Sequence, residues 1–118
     1  MIYEDEFIMI EREYNEVPWV KIFTKQKFKE ITDCDEKTRN RLFEAMMITE
    51  QVMRKFYNPT KINIASFGNF YPHVHIHVMA RFELDSYYPN SVWGEAVRKG
   101  TINPPSFDEF CKELVKAL

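Results

Sequence analysis

Glycine is scarce in this chain, at three residues in 118. That leaves no flexible linker, no G-x-G-x-x-G turn and no Walker loop, so a glycine-rich phosphate cradle is excluded. Cysteine is scarcer still. Cys34 and Cys111 lie far apart and make no C-x-x-C pair, which excludes a disulfide framework and a thiolate zinc site. No apolar run approaches the ~20 residues of a membrane span. Met1 to Glu6 has neither the basic start nor the apolar stretch of a secretory signal. Together these absences predict a reduced, cytoplasmic compartment and no membrane partner. A basic excess is missing too: the net charge is −2 and the pI is near 5.9. No stable nucleic-acid partner is expected. One locally positive pocket for a small phosphate ligand remains compatible with that charge.

What is present suits one globular domain over residues 1–118. The hydrophobic fraction is 45%, enough for a single core without metals or disulfides. Aromatic residues make up 15%, which implies a well-filled core or a stacking pocket. Alternation of apolar residues predicts strands over 6–12 and 18–24, joined as a hairpin near Asn15. A long helix is predicted over 34–57, capped by Asp33 or Asp35 and ended by Asn58-Pro59. Its buried stripe is Leu42, Ala45, Met46, Thr49, Val52, Met53 and Phe56. Two more strands are predicted over 61–67 and 73–82, then a loop to about residue 105. Ser106 and Glu109 form a capping box for a last helix. The fold class is α+β: an antiparallel sheet of about five strands with one long helix and a C-terminal helix.

The chain's only three histidines stand at alternate positions, His73, His75 and His77. On a strand such residues share a face, while Val74, Ile76 and Val78 point the other way into the core. Three readings follow. A polar outer face is the bland one, although imidazole has no special merit there. A metal-dependent hydrolase is the second: three imidazoles can hold zinc, with Glu83 or Asp85 adding a carboxylate. Same-face neighbours lie about 6.6 Å apart per step and nearly in line, however, so joint ligation needs a bent strand. Nucleophilic catalysis is the third. Imidazole is both nucleophile and acid near neutral pH, and one ring nitrogen can attack phosphorus while the other is held by a hydrogen bond.

The run His73-Val74-His75-Ile76-His77-Val78-Met79 resembles the signature of the histidine triad (HIT) family, His-φ-His-φ-His-φ-φ with φ apolar. Ala80-Arg81 sits where members often have Pro-Arg, and Gly68-Asn69 resembles the Gly-Gln that precedes the triad in many. The order of hairpin, long helix, strand and triad strand is similar over most of the chain. Pro18-Trp19-Val20 and the stretch from Pro89 to Trp93-Gly94 resemble a short bacterial subgroup of HIT hydrolases.

The resemblance implies a HIT-like fold and a nucleotide hydrolase or nucleotidyl transferase. His75 would attack the α-phosphorus and form a nucleotidyl-histidine. The His73 carbonyl would orient it, and His77 would assist charge or proton transfer. Asn69 and Asn63 would donate to phosphate oxygens, and Glu11 would meet the ribose. Water would then release a nucleoside monophosphate from a dinucleoside polyphosphate, phosphoramidate or acyl-adenylate. The family commonly works as a homodimer and needs no cofactor for this chemistry. Two departures stand out: Trp19 occupies about the place of a fourth histidine, and Phe70 the place of a Ser or Thr that helps the leaving group. A nucleotide-binding module with weak turnover is the alternative within the same fold.

Outside the triad, Lys21, Lys25, Lys27 and Lys29 read as a solvated strand edge or a phosphate-attracting rim. Tyr87, Tyr88 and Trp93 read as loop anchors or stacking residues.

Overall fold

A computed structural model describes residues 1–118. Five strands run in chain order: β1 (Tyr3–Glu4), β2 (Ile8–Arg12), β3 (Trp19–Thr24), β4 (Lys61–Ala65) and β5 (His75–Arg81). Helix α1 (Glu36–Tyr57) follows β3, and α2 (Phe107–Ala117) closes the chain. The strands form one antiparallel sheet in the order β1-β2-β3-β5-β4. This is the α+β arrangement the sequence predicts. The strand not anticipated is β1, whose two residues give no periodicity to read.

One face of the sheet is covered and the other carries polar groups. Ile8 and Ile10 of β2, Val20 and Ile22 of β3, and Ile76, Val78 and Ala80 of β5 share a core with Leu42, Ala45 and Met53 of α1. Phe110 and Leu114 of α2 close it, both fully buried. Each of the larger of these side chains contributes roughly 1.5–3 kcal/mol on leaving water. Register across β5 is therefore strongly specified, since a slip by one residue would turn the histidines into this core.

The ends of elements differ from expectation for local reasons. Helix α1 begins at Glu36, because Asp35 is the cap and accepts from the Thr38 N–H at 3.1 Å. Asp33 instead accepts from the Glu30 N–H and closes a single 3-10 turn at Ile31–Asp33. Only one half of the box at α2 forms: Ser106 accepts from the Glu109 N–H, while the Glu109 carboxylate pairs with Lys112. Strand β5 starts at His75, two residues later than predicted. The Val74 N–H is spent on the Phe28 carbonyl and its carbonyl on the Thr24 N–H, so the segment before β5 is tied to the β3–α1 connection.

Phe110 joins both helices through Phe56 and Tyr57 of α1. Phe110→Ala should lower unfolding free energy by about 3–5 kcal/mol in denaturant titration. A loss below about 1 kcal/mol would contradict this account of the core.

Candidate active site

The face turned away from the helices is a grid set by strand register. Glu11, Lys21, His77 and Ala65 form one row across β2, β3, β5 and β4. Met9, Phe23 and His75 form the next, and Trp19, Met79 and Asn63 another. Above this grid lies a cavity of about 400 Å³, lined by Glu13, Lys21, His75, His77, Trp93 and the β4–β5 loop from Phe67 to Tyr71.

The three histidines have three different environments. His75 faces the cavity with Nδ1 tied 2.7 Å from the His73 carbonyl oxygen. A carbonyl only accepts, so Nδ1 carries the proton and Nε2 keeps its lone pair. Phe23 stacks on the ring at 4.7 Å and 21°, fixing its plane. His77 is the mirror case. The Trp19 indole N–H donates to its Nδ1 at 3.0 Å, and since an indole only donates, the proton sits on Nε2. Burial, then the neighbouring His75 and Lys21, push its pKa down to about 4. His77 is thus uncharged at neutral pH. His73 does not line the cavity. It precedes β5, and its Nε2–H donates to the Thr24 carbonyl at 2.6 Å. Its side chain pins the approach to the strand, and its carbonyl holds His75.

The remaining predicted residues divide. Asn69 lines the cavity. Asn63 lies outside it, with its Oδ1 accepting from the Arg81 guanidinium at 2.8 Å. Glu11 shares the face but is separated from His77 by Lys21. No three His, Cys, Asp or Glu side chains are gathered as a metal ion would require. Asp85, considered above as a ligand, is fully buried and accepts from Arg81 at 2.9 and 3.1 Å. Glu83 is exposed.

Two groups in the cavity carry more than the sequence reading gave them. Lys21 is not part of a solvated edge, because β3 is a central strand. It is half-buried, points into the cavity and lies 3.7 Å from Glu13. Its two-residue spacing from Trp19 and Phe23 was the available signal, obscured by the exposed Lys25, Lys27 and Lys29 that follow. Trp93 meets Trp19, Phe67 and His77 edge-on at 5.0–5.2 Å, forming the cavity wall. Tyr87 packs beside the small cluster of Val17, Trp19, Met79 and Val92 and anchors its loop.

Comparison with known proteins fits this geometry. The profile of the HIT domain matches residues 1–84. The chain belongs to the HIT domain family. Three histidine triad proteins of solved structure resemble this HIT protein over nearly its whole length. One from Bradyrhizobium japonicum is 23% identical with a TM-score of 0.81, covering 98% of this chain and 87% of its own. One from Sinorhizobium meliloti is 25% identical, TM-score 0.75, covering 99% and 87%. One from Marinobacter aquaeolei is 23% identical, TM-score 0.70, covering 98% and 82%. No curated protein sequence matches it. Family membership points to nucleotide-binding or hydrolase-type function. No helix is long and apolar enough to cross a membrane.

The loop that carries Trp93 is fastened by Asp85. Burial opposes its charge, but Arg81 and the backbone N–H groups of Phe82, Tyr87 and Tyr88 outweigh it and hold the pKa at about 2. Because the folded value lies below the unfolded value of about 3.9, this stabilisation is complete above that pH. It is lost as pH falls through about 2. Asp85→Asn leaves Arg81 buried and unpaired, and should cost about 3–5 kcal/mol at pH 7. Denaturant titration of both proteins should show the gap narrowing between pH 4 and pH 2. A gap that stays constant with pH would contradict the assignment.

Proposed function

We propose that this HIT protein hydrolyses, or transfers, a nucleotide through nucleophilic attack by His75 on the α-phosphorus. The observation that carries the reading is the hydrogen bond from His75 Nδ1 to the His73 carbonyl, with the ring at the cavity wall. It makes Nε2 the available lone pair and rigidly aims it. Attack forms a phosphorus–nitrogen bond and breaks the bond to the leaving group, whose electron pair departs with it. The ring becomes cationic, and its Nδ1–H bond to the carbonyl strengthens as charge develops. Water then forms a phosphorus–oxygen bond, the pair returns to Nε2, and a proton goes to solvent. A nucleoside monophosphate is released.

The other groups support this course. Lys21 brings a positive charge to a protein of net charge −2, which suits a phosphate in one local site. Asn69 lines the cavity from the β4–β5 loop, and on this reading its amide donates to a phosphate oxygen. Phe67 and Trp93 offer aromatic faces for stacking. No metal takes part in these steps as we draw them, so turnover should persist in the presence of a chelator.

Metal-stripped protein should release AMP from diadenosine tetraphosphate. His75→Ala should lower that rate by at least about a thousandfold while AMP still binds. The fold should be kept, because the strand's core contacts come from Ile76 and Val78. Near-normal turnover by this variant would rule His75 out. AMP binding without turnover by the natural protein would favour a binding role.

A further inference from the structure

The indole N–H of Trp19 donates to His77 Nδ1 at 3.0 Å, and both side chains are buried. Trp19 is itself held among Val17, Met79 and Val92, and edge-on against Trp93. We propose that Trp19 is a positioning residue that fixes His77 as a neutral imidazole protonated on Nε2, and that the site consequently prefers nucleotide anhydrides over phosphoramidates. This rests on the reading of His75 as the nucleophile.

To become cationic, His77 would have to place a proton on Nδ1, where the indole already points one. Two donors would then face each other in a buried site, which is disfavoured. No neighbour offsets this. His75 lies 4.9 Å away between ring centroids, and Lys21 is the cross-strand partner on β3. Lys21 is cationic; of the carboxylates on that side, Glu13 lies on Lys21 at 3.7 Å, and Glu11 of β2 is separated from His77 by Lys21. Ala65 on β4, Phe67 in the following loop and Trp93 carry no charge. Every surrounding element thus presents His77 with a cation, a potential cation or an uncharged group.

A neutral imidazole N–H donates a hydrogen bond to a phosphate oxygen but has no proton to give away near neutral pH. The Nδ1 proton of His75 is engaged by the His73 carbonyl. A lysine ammonium holds its proton near neutral pH, so Lys21 serves as a fixed positive charge. Position 70, on the cavity rim, is a phenylalanine; the hydroxyl lining the cavity is the phenol of Tyr71, and phenols give up a proton reluctantly near neutral pH, while the Glu13 carboxylate is paired with Lys21. The site therefore holds no strong general acid. In an anhydride, the phosphorus–oxygen bond breaks and its pair stays on a phosphate or carboxylate oxygen, which departs as a stable anion beside Lys21. In a phosphoramidate, the departing nitrogen must gain a proton during bond breaking. The selected substrate class is a nucleotide whose α-phosphate is joined to a polyphosphate or an acyl group.

The test combines spectroscopy with kinetics, using 15N-histidine-labelled protein and its Trp19→Phe variant. In the natural protein at pH 7, His77 should show Nε2–H and a bare Nδ1, and should stay neutral to below pH 5. The kcat/KM for diadenosine tetraphosphate should exceed that for adenosine phosphoramidate by about a hundredfold or more. In Trp19→Phe the two tautomers should mix, the titration should rise above that of the natural protein although burial, His75 and Lys21 still oppose the charge, and the ratio at pH 6 should fall about tenfold or more. A cationic or Nδ1–H His77 in the natural protein overturns the proposal, and that result needs no variant to fold. An unchanged ratio in a folded Trp19→Phe protein overturns the substrate preference. If neither compound turns over while the Nε2–H signature is present and lost in the variant, the nucleophile reading fails and the positioning role of Trp19 stands.

Discussion

The site depends on one constraint, the two-residue alternation of β5 between two antiparallel neighbours. Ile76, Val78 and Ala80 are pinned in the core against α1. Every residue between them is forced onto the opposite face, so His75 and His77 are placed by packing they take no part in. The same pairing puts Phe23 beside His75 and Lys21 beside His77. The core thus stabilises the fold and orients the cavity's side chains in one operation. A functional group on a central strand is held more firmly than one on a loop.

Two neighbouring imidazoles are given opposite chemistry by partners of opposite type. An acceptor, the His73 carbonyl, leaves His75 with a free lone pair. A donor, the Trp19 indole, leaves His77 with a free N–H. Neither assignment requires a charged partner, and the burial of both rings keeps competing water away. On our reading, one ring is prepared to attack and the other to steady a phosphate oxygen, with Lys21 supplying charge. The Arg81–Asp85 pair lies outside the cavity, with Arg81 on the same face of β5 as His75 and His77, and fastens the loop that forms one wall.

The sheet and its polar face were legible because alternation is local. Period two over residues 73–78 separates histidines from core residues without any knowledge of partners. Helix α1 was legible to within two residues because its stripe and caps are also local. What the sequence left hidden is relational. Nothing near His73 says that its ring turns back to Thr24, 49 residues away in the chain. Trp19 and His77 are 58 residues apart, and their bond exists only once β3 and β5 pair. Asn63 looked like a phosphate ligand, and its pairing with Arg81 is visible only across β4 and β5. Lys21 was hidden by composition: the lysines after it are exposed and disguise the one that faces inward.

If His75 is the nucleophile, phosphorus becomes bonded to one ring nitrogen of one histidine during turnover. The direct measurement is to quench the protein in alkali during turnover of a nucleotide anhydride, conditions that preserve a phosphorus–nitrogen bond, and to map the adduct by mass spectrometry. Our account predicts a nucleoside monophosphate mass increment localised to His75. An adduct on His77 or His73, or turnover with no adduct under conditions where its accumulation is forced, would contradict it.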